Sequence, residues 1–211
     1  MFPDRTAAGH QLAAELLKYQ GQPVVVIAIP RGGLPLGAVV AKTLNAPMDV
    51  ALTKKIGHPF NKEYAIGAVS RNQIVVSQPE SISQEYIDAE SRRLRQSLEE
   101  RHNMFHRKKN PVPLKGKQVI VVDDGIATGN TLRVTIALIS SEAPDKIIVA
   151  IPVAPPEAVR RLEKMPEVDE VICLETPGNF RAVGQFYQDF GTVTDQEALR
   201  IFESVNFLKE A

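Results

Sequence analysis

The chain has 211 residues, 44% of them hydrophobic and 24% charged, enough to bury one sizeable core under an ordinary soluble surface. Lys plus Arg (25) equals Asp plus Glu (25), so no overall basic charge argues for nucleic-acid binding, and no apolar stretch approaches the ~20 residues needed to span a bilayer. A single cysteine, Cys173, excludes an internal disulfide, and residues 1–20 lack the cationic-then-apolar pattern of a signal peptide, so the expected setting is cytoplasmic.

Residues 24–29 are a continuous apolar run rich in β-branched side chains, the pattern of a strand buried on both faces. Pro30-Arg31-Gly32-Gly33 ends it, and residues 34–44, rich in Ala and Leu, read as a helix. Asn45-Ala46-Pro47 closes that helix, and residues 50–53 read as a second strand, completing a βαβ unit. Residues 54–64 contain Gly57, Pro59 and Asn61 and read as a loop. Residues 65–69 and 73–76 flank Ser70-Arg71-Asn72 as a hairpin. Residues 83–105 form a long charged helix with Tyr86, Leu94, Leu98 and Phe105 on one face. A basic connection, residues 107–117, follows and reads as a solvated linker.

The pattern then repeats. Residues 118–122 form a strand, an acidic glycine-containing loop follows, and residues 131–140 form a helix. Residues 146–151 form a strand closed by Pro152, and Pro155-Pro156-Glu157 opens a helix through Leu162. Residues 168–174 form another strand, in which Cys173 is a small core residue rather than a nucleophile. Thr194 or Asp195 caps a last helix, residues 196–207. Strands alternating with helices predict an α/β fold, a parallel twisted sheet with helices on both faces. There is no internal repeat and no low-complexity segment.

In open parallel sheets, ligands bind beyond the carboxyl ends of the strands. Residues 30–33, 54–57 and 123–131 leave such ends with unusual chemistry. The last segment is the most informative. Val119-Ile120-Val121-Val122 runs straight into Asp123-Asp124, and Gly125-Ile126-Ala127-Thr128-Gly129-Asn130-Thr131 leads into a helix. Two carboxylates at a strand end are costly unless they bind something. A helix start with small residues and hydroxyls offers free backbone N–H groups to an anion. Acids beside an anion site suit a sugar phosphate: they accept from vicinal hydroxyls while the helix start holds the phosphate. No Lys follows the second glycine as it does in a Walker A loop, and Asp123-Asp124 stand where a dinucleotide fingerprint has glycines. Helix capping alone would need one such residue, not the whole string.

Residues 119–131 resemble the signature by which type I phosphoribosyltransferases bind 5-phosphoribosyl 1-pyrophosphate (PRPP): an apolar strand, two acids, and a loop ending Thr-Gly-x-Thr. The resemblance implies that Asp123 and Asp124 contact the ribose 2′- and 3′-hydroxyls. It implies that Ala127, Thr128, Gly129, Asn130 and Thr131 cradle the 5′-phosphate, with Gly125 and Ile126 completing the loop. It also implies Mg2+, held largely through substrate and water, with no side chain assigned as its ligand. Pro30-Arg31-Gly32-Gly33 resembles the family's pyrophosphate loop, in which glycines admit the anion and Arg31 binds it. Of Lys54 and Lys55, Lys55 matches best the basic residue that reaches the pyrophosphate. Lys55-x-Gly57-x-Pro59, Glu63-Tyr64-Ala65-Ile66-Gly67-Ala68 and Gly184-Gln185-Phe186-Tyr187-Gln188-Asp189-Phe190 resemble a subgroup of predicted phosphoribosyltransferases.

The implied architecture is one domain over residues 1–211, with a mobile lid or insert around 57–110 and a small C-terminal hood around 175–211. The implied reaction transfers the 5-phosphoribosyl group from PRPP to a nitrogenous base or related amine, as in nucleobase salvage, with Asp123, Asp124, Arg31 and Lys55 as the catalytic set. The family's 6-oxopurine members carry an acid just before Thr-Gly, and Ala127 stands there instead, so hypoxanthine and guanine are disfavoured. Phe180, Phe186 and Tyr187 either stack on a flat base or form hood core. His10, His58, His102 and His106 have no metal-ligand spacing and read as surface or satisfied histidines, with His58 in the lid. A homodimer through the helix at 83–105 is expected. Two alternatives stay open. A PRPP-sensing regulator could bind nucleic acid through Arg92, Arg93, Arg95, Arg101, Arg107, Lys108 and Lys109. A hydrolase or phosphorylase of a ribosyl phosphate is the other.

Overall fold

Burial on both faces makes Val24–Ala28 a strand, β1, in a computed structural model that describes residues 1–76 and 82–207. Helix α1 (Arg5–Glu15) precedes it, and α2 (Gly33–Leu44) and β2 (Met48–Val50) follow. Next come β3 (Lys54–His58), β4 (Asn61–Val69), β5 (Ile74–Val76) and helix α3 (Gln84–Phe105). The second half runs β6 (Gln118–Val122), α4 (Asn130–Ser140), β7 (Lys146–Val153), α5 (Pro156–Glu163), β8 (Glu170–Glu175) and α6 (Asp195–Asn206). Five of the strands form one sheet in the order β2-β1-β6-β7-β8, every neighbouring pair parallel.

Alternation of side chains along each strand divides the core between the two faces. Val24, Val26, Ile120 and Val122 pack with Leu12, Leu34, Val40 and Phe202 of α1, α2 and α6. Val25, Ile27, Val119 and Val121 pack with Leu132, Ile136, Ala158 and Leu162 of α4 and α5. The sheet with helices on both faces is the architecture expected from the alternating pattern. Among the described residues no helix is long and apolar enough to cross a membrane.

Three expectations need correction. Residues 54–64 are not a loop: they form β3, a turn at Pro59-Phe60, and the start of β4. Gly57 marks a bulge, with a register shift on each side of it and a Cβ position only 2.6 Å from the Lys62 carbonyl oxygen. Ile56 and Ile66, on the buried face, drive the hairpin. The second strand lies at Met48–Val50 rather than 50–53. The Val26 N–H already donates to the Pro47 carbonyl, and after the Ala51 N–H bonds Ala28 the chain crosses to the hairpin. Strand β7 runs through Pro152 to Val153, because Ala150 is the last residue paired to β6 and Pro152 lies beyond that ladder. Helix α1 adds an element whose sequence shows no clear apolar periodicity. Gly9 at its centre permits a close crossing, since a Cβ there would lie 3.0 Å from Leu36 Cα.

Strands β3, β4 and β5 form a separate antiparallel sheet. With α3 they share their own small core, including Ile56, Ile66, Val69, Ile87, Leu94 and Leu98. The Thr53 and Thr135 hydroxyls, 2.8 Å apart, tie the start of this unit to α4. The connection at 106–117 is anchored by buried Asp49, which accepts from the Val112 N–H at 2.7 Å and lies 2.8 Å from His106 Nε2. Helix α6 starts at Thr194, whose Oγ1 accepts from the Glu197 N–H at 3.1 Å. Thr194→Ala is expected to cost about 1 kcal/mol of stability, measured by chemical denaturation.

Candidate active site

Strands β1 and β6 are neighbours and end side by side, Ala28 opposite Val122. The loops that follow therefore emerge together. They touch through glycines. A Cβ on Gly32 would lie 2.0 Å from Asp124 Oδ2, and one on Gly33 would lie 2.6 Å from the Val122 carbonyl oxygen. A side chain at Gly32 would displace the Asp124 carboxylate and one at Gly33 would meet backbone, so the backbone of the first loop lies directly against the second. The peptide bond between Pro30 and Arg31 is cis.

The acids are half-buried just beyond the carboxyl end of β6. Asp123 Oδ1 accepts from the Asp124 N–H at 2.9 Å. Burial pushes the Asp123 carboxyl well above its ordinary value, and the charge of Asp124 adds to the effect. Burial also raises Asp124, while the guanidinium of Arg5 opposes the rise. Gly125 turns the chain at φ 145°, and a Cβ there would meet Val183 and Val153. Ile126 is buried, and its N–H bonds the Val153 carbonyl at 3.1 Å. Ala127 and Thr128 are exposed, and Gly129 at φ 73° opens α4 with no side-chain cap. Asn130 and Thr131 are exposed at this helix start, where the Asn130 N–H donates to Thr128 Oγ1 at a long 3.5 Å, and unsatisfied N–H groups in a first turn favour an anion.

The structure thus brings Gly32 and Gly33 against Asp123 and Asp124, whose loop leads into α4. Arg31 is directed elsewhere, with Nη1 3.6 Å from Asp195 Oδ1 at the start of α6. Lys54 and Lys55 are half-buried on β3, opposite Val69 and Ala68, rather than in a loop. Phe186 and Tyr187 are buried, and Phe186 stacks on Phe180 with centroids 5.4 Å apart, the geometry of a hood core. His58 sits near the hairpin turn, where its Nδ1 accepts from the Phe60 N–H, and Phe60 is 94% exposed at the tip. Cys173 is half-buried, and burial pushes its thiol up to about 11, far from a nucleophile's range.

One side chain in contact with the acid pair escaped sequence reasoning. Arg5, in the first turn of α1, places Nε 2.8 Å from Asp124 Oδ2, and both side chains are largely buried. Its Nη1 donates to the Gly191 carbonyl at 2.7 Å, and its guanidinium lies 3.9 Å from the Phe190 ring centroid. The Tyr187 hydroxyl donates to the Asp124 carbonyl at 2.6 Å. The only sequence signal was an arginine behind the capping residue Asp4, which looks like any helix start.

The basic face considered for nucleic acid is partly neutralised locally. Arg93 pairs with Glu90, Lys108 with Glu203, and Arg101 lies 3.9 Å from Asp195.

Comparisons with known proteins agree with this geometry. Residues 3–190 match the phosphoribosyl transferase domain family. A Mycobacterium tuberculosis protein named as a phosphoribosyl transferase is 37% identical over 208 residues, covering 96% of this chain and 46% of that protein. The chain therefore spans about half the length of this curated relative. The crystal structure of TT1426 from Thermus thermophilus superposes with a TM-score of 0.90 at 37% identity, covering 98% of this chain and 99% of that one. A Neisseria gonorrhoeae protein crystallised with ppGpp gives a TM-score of 0.52 at 17% identity over 95% and 92% of the two chains, a likeness of fold alone. With the motif, the sheet and the relatives in agreement, the chain belongs to the phosphoribosyltransferase family.

Proposed function

We propose that this chain transfers the 5-phosphoribosyl group from PRPP to a nitrogenous base or related amine and releases pyrophosphate. The observation that carries this reading is the contact of Gly32 with Asp124, which sets a pyrophosphate-type loop against a ribose-type acid pair beside an uncapped helix start. Each part alone is common. Together they match the three charged or hydroxylated portions of one substrate.

The chemistry follows from charge. The C1–oxygen bond to pyrophosphate breaks with its electron pair leaving on pyrophosphate, and the acceptor nitrogen bonds C1 and sheds its proton. The sugar is electron-poor in between, and Asp123 and Asp124 place negative charge beside it. The α4 N–H groups hold the 5′-phosphate and fix C1 relative to the acceptor. The glycine loop admits the pyrophosphate, and Arg31 and Lys55 are assigned to it. For Arg31 this requires a swing away from Asp195. The hairpin tip at 58–64 is assigned as the lid that excludes water.

Magnesium fits the residues present. Two adjacent carboxyls that are costly to bury as anions, with Arg5 bonded to Asp124 and not to Asp123, suit a hard cation as counter-charge. Asp123 and Asp124 would be the residues to hold it. When bound, it neutralises pyrophosphate charge. A cytoplasmic homodimer completes the reading.

The test is pyrophosphate release from PRPP and Mg2+ with a panel of bases and amines. Release that depends on one acceptor supports transfer. Release without any acceptor means hydrolysis, and none at all with every acceptor class contradicts the assignment.

A further inference from the structure

The Asp124 side chain is held from two sides by groups outside its own loop. Gly32 closes one side, and Arg5 Nε bonds Oδ2 on another. Arg5 is itself fixed: one donor goes to the Gly191 carbonyl, and its flat face lies on Phe190. The segment that carries Gly191 and Phe190 is laced to the N-terminus by backbone bonds. The Phe2 N–H donates to Phe186, Gln188 to Phe2, and Asp189 to Pro3. Tyr187 in the same segment bonds the Asp124 carbonyl, and burial, with the charge of Asp124, raises its hydroxyl pKa and keeps it a donor. Two stretches far apart in the chain, 2–5 and 186–191, therefore converge on Asp124, the first at its carboxylate and the second at its backbone carbonyl.

A side chain that only stabilised the fold would gain little from this arrangement. A guanidinium and a carboxylate that are both largely desolvated repay their burial only when geometry is good and the other donors are used. Arg meets that condition because its planar fork can serve Asp124 and Gly191 together while stacking on a ring, which the single ammonium of Lys cannot do. The bond occupies Oδ2 and, among the described residues, leaves Oδ1 of Asp124 without a side-chain cation.

We propose that Arg5 is a positioning residue for ribose: it orients the Asp124 carboxylate so that Oδ1 meets a ribose hydroxyl, and it ties the 186–191 segment to the PRPP loop. This rests on the phosphoribosyl-transfer reading. Arg5 acts through Asp124 and does not touch the reacting carbon.

The test is PRPP affinity with Mg2+ by calorimetry for wild type, Arg5→Lys and Arg5→Ala, each with its thermal midpoint, and Arg5→Ala repeated with added methylguanidinium. Arg5→Ala is expected to weaken PRPP binding roughly tenfold to hundredfold, the range for losing one charge-assisted hydrogen bond. Arg5→Lys should fall between, and methylguanidinium should restore Arg5→Ala and leave wild type unchanged. Wild-type affinity in Arg5→Ala overturns the proposal. So does equal weakening in both variants without rescue, which would mark Arg5 as structural only. If Arg5→Ala does not fold, Arg5→Lys decides: weakened binding at an unchanged midpoint supports the role, and unchanged binding removes it. Absence of PRPP binding by wild type would remove the transfer reading itself, and this inference with it.

Discussion

Gly32→Ala is expected to weaken PRPP binding about a hundredfold or more while sparing most of the fold. The new Cβ would sit 2.0 Å from Asp124 Oδ2 and 2.5 Å from its Cγ, so the whole carboxylate must move. Gly32 has φ −61°, which alanine adopts freely, so the backbone itself is not strained. The side chain can yield by rotating, but only by leaving Arg5. The stability cost is then about 1–2 kcal/mol, from one lost charged hydrogen bond. Gly33→Ala should behave differently. Its Cβ would meet the Val122 carbonyl at 2.6 Å and Asp123 Cα at 3.1 Å. These are backbone atoms at the end of a central strand and have no rotamer to change. Overpacking there costs about 2–3 kcal/mol. Calorimetry with PRPP and urea denaturation of both variants separate the two effects. A Gly32→Ala variant that binds PRPP like wild type would mean that Asp124 is not held as the structure shows.

Asp123→Asn is expected to stabilise the ligand-free protein and abolish PRPP binding. Burial and the neighbouring Asp124 raise the Asp123 carboxyl in the folded state above its ordinary 3.8. The sign follows. A raised acid favours folding fully below its unfolded value, and that contribution is lost as pH rises through the folded value. Burying a group that the unfolded chain carries ionised therefore costs stability, and the neutral amide avoids the cost. The gain should be on the order of 1 kcal/mol, or about 2–4 °C in Tm for a chain of this size. It should shrink towards zero as pH falls and the wild-type acid regains its proton. Thermal melts of both proteins as a function of pH are the check. A variant less stable than wild type at every pH would show that Asp123 serves the fold. The trade-off is what a binding acid predicts: the charge is kept for a ligand that repays it.

The strand, acid pair and helix start from Val119 to Thr131 were legible because the pattern is local. The run from Val119 to Thr131 carries strand, acids, glycines and helix start in one string, and each part has a physical reason that needs no distant partner. The pyrophosphate-type loop was legible for the same reason. Three features were not. Helix α1 packs through Gly9, a residue that local propensity counts against a helix, and its place is set by a crossing with α2. The hairpin at 54–69 hides its strands behind Gly57, Pro59 and Asn61, which mark a bulge and a turn and not a break. Arg5 and Asp124 lie 119 positions apart, and nothing near Arg5 points to an acid. Their pairing depends on the topology that returns residues 186–191 to the N-terminus.

The central claim is that the acid loop and the start of α4 bind PRPP. The most direct measurement is a thermal-shift titration with PRPP plus Mg2+, comparing wild type with the Asp123→Asn/Asp124→Asn double variant. Ligand at ~100 times its Kd stabilises the native state by about 2.7 kcal/mol. The midpoint is expected to rise with PRPP in wild type and to stay flat in the double variant. A wild-type midpoint that does not move at millimolar PRPP, or an equal rise in both proteins, would contradict that claim.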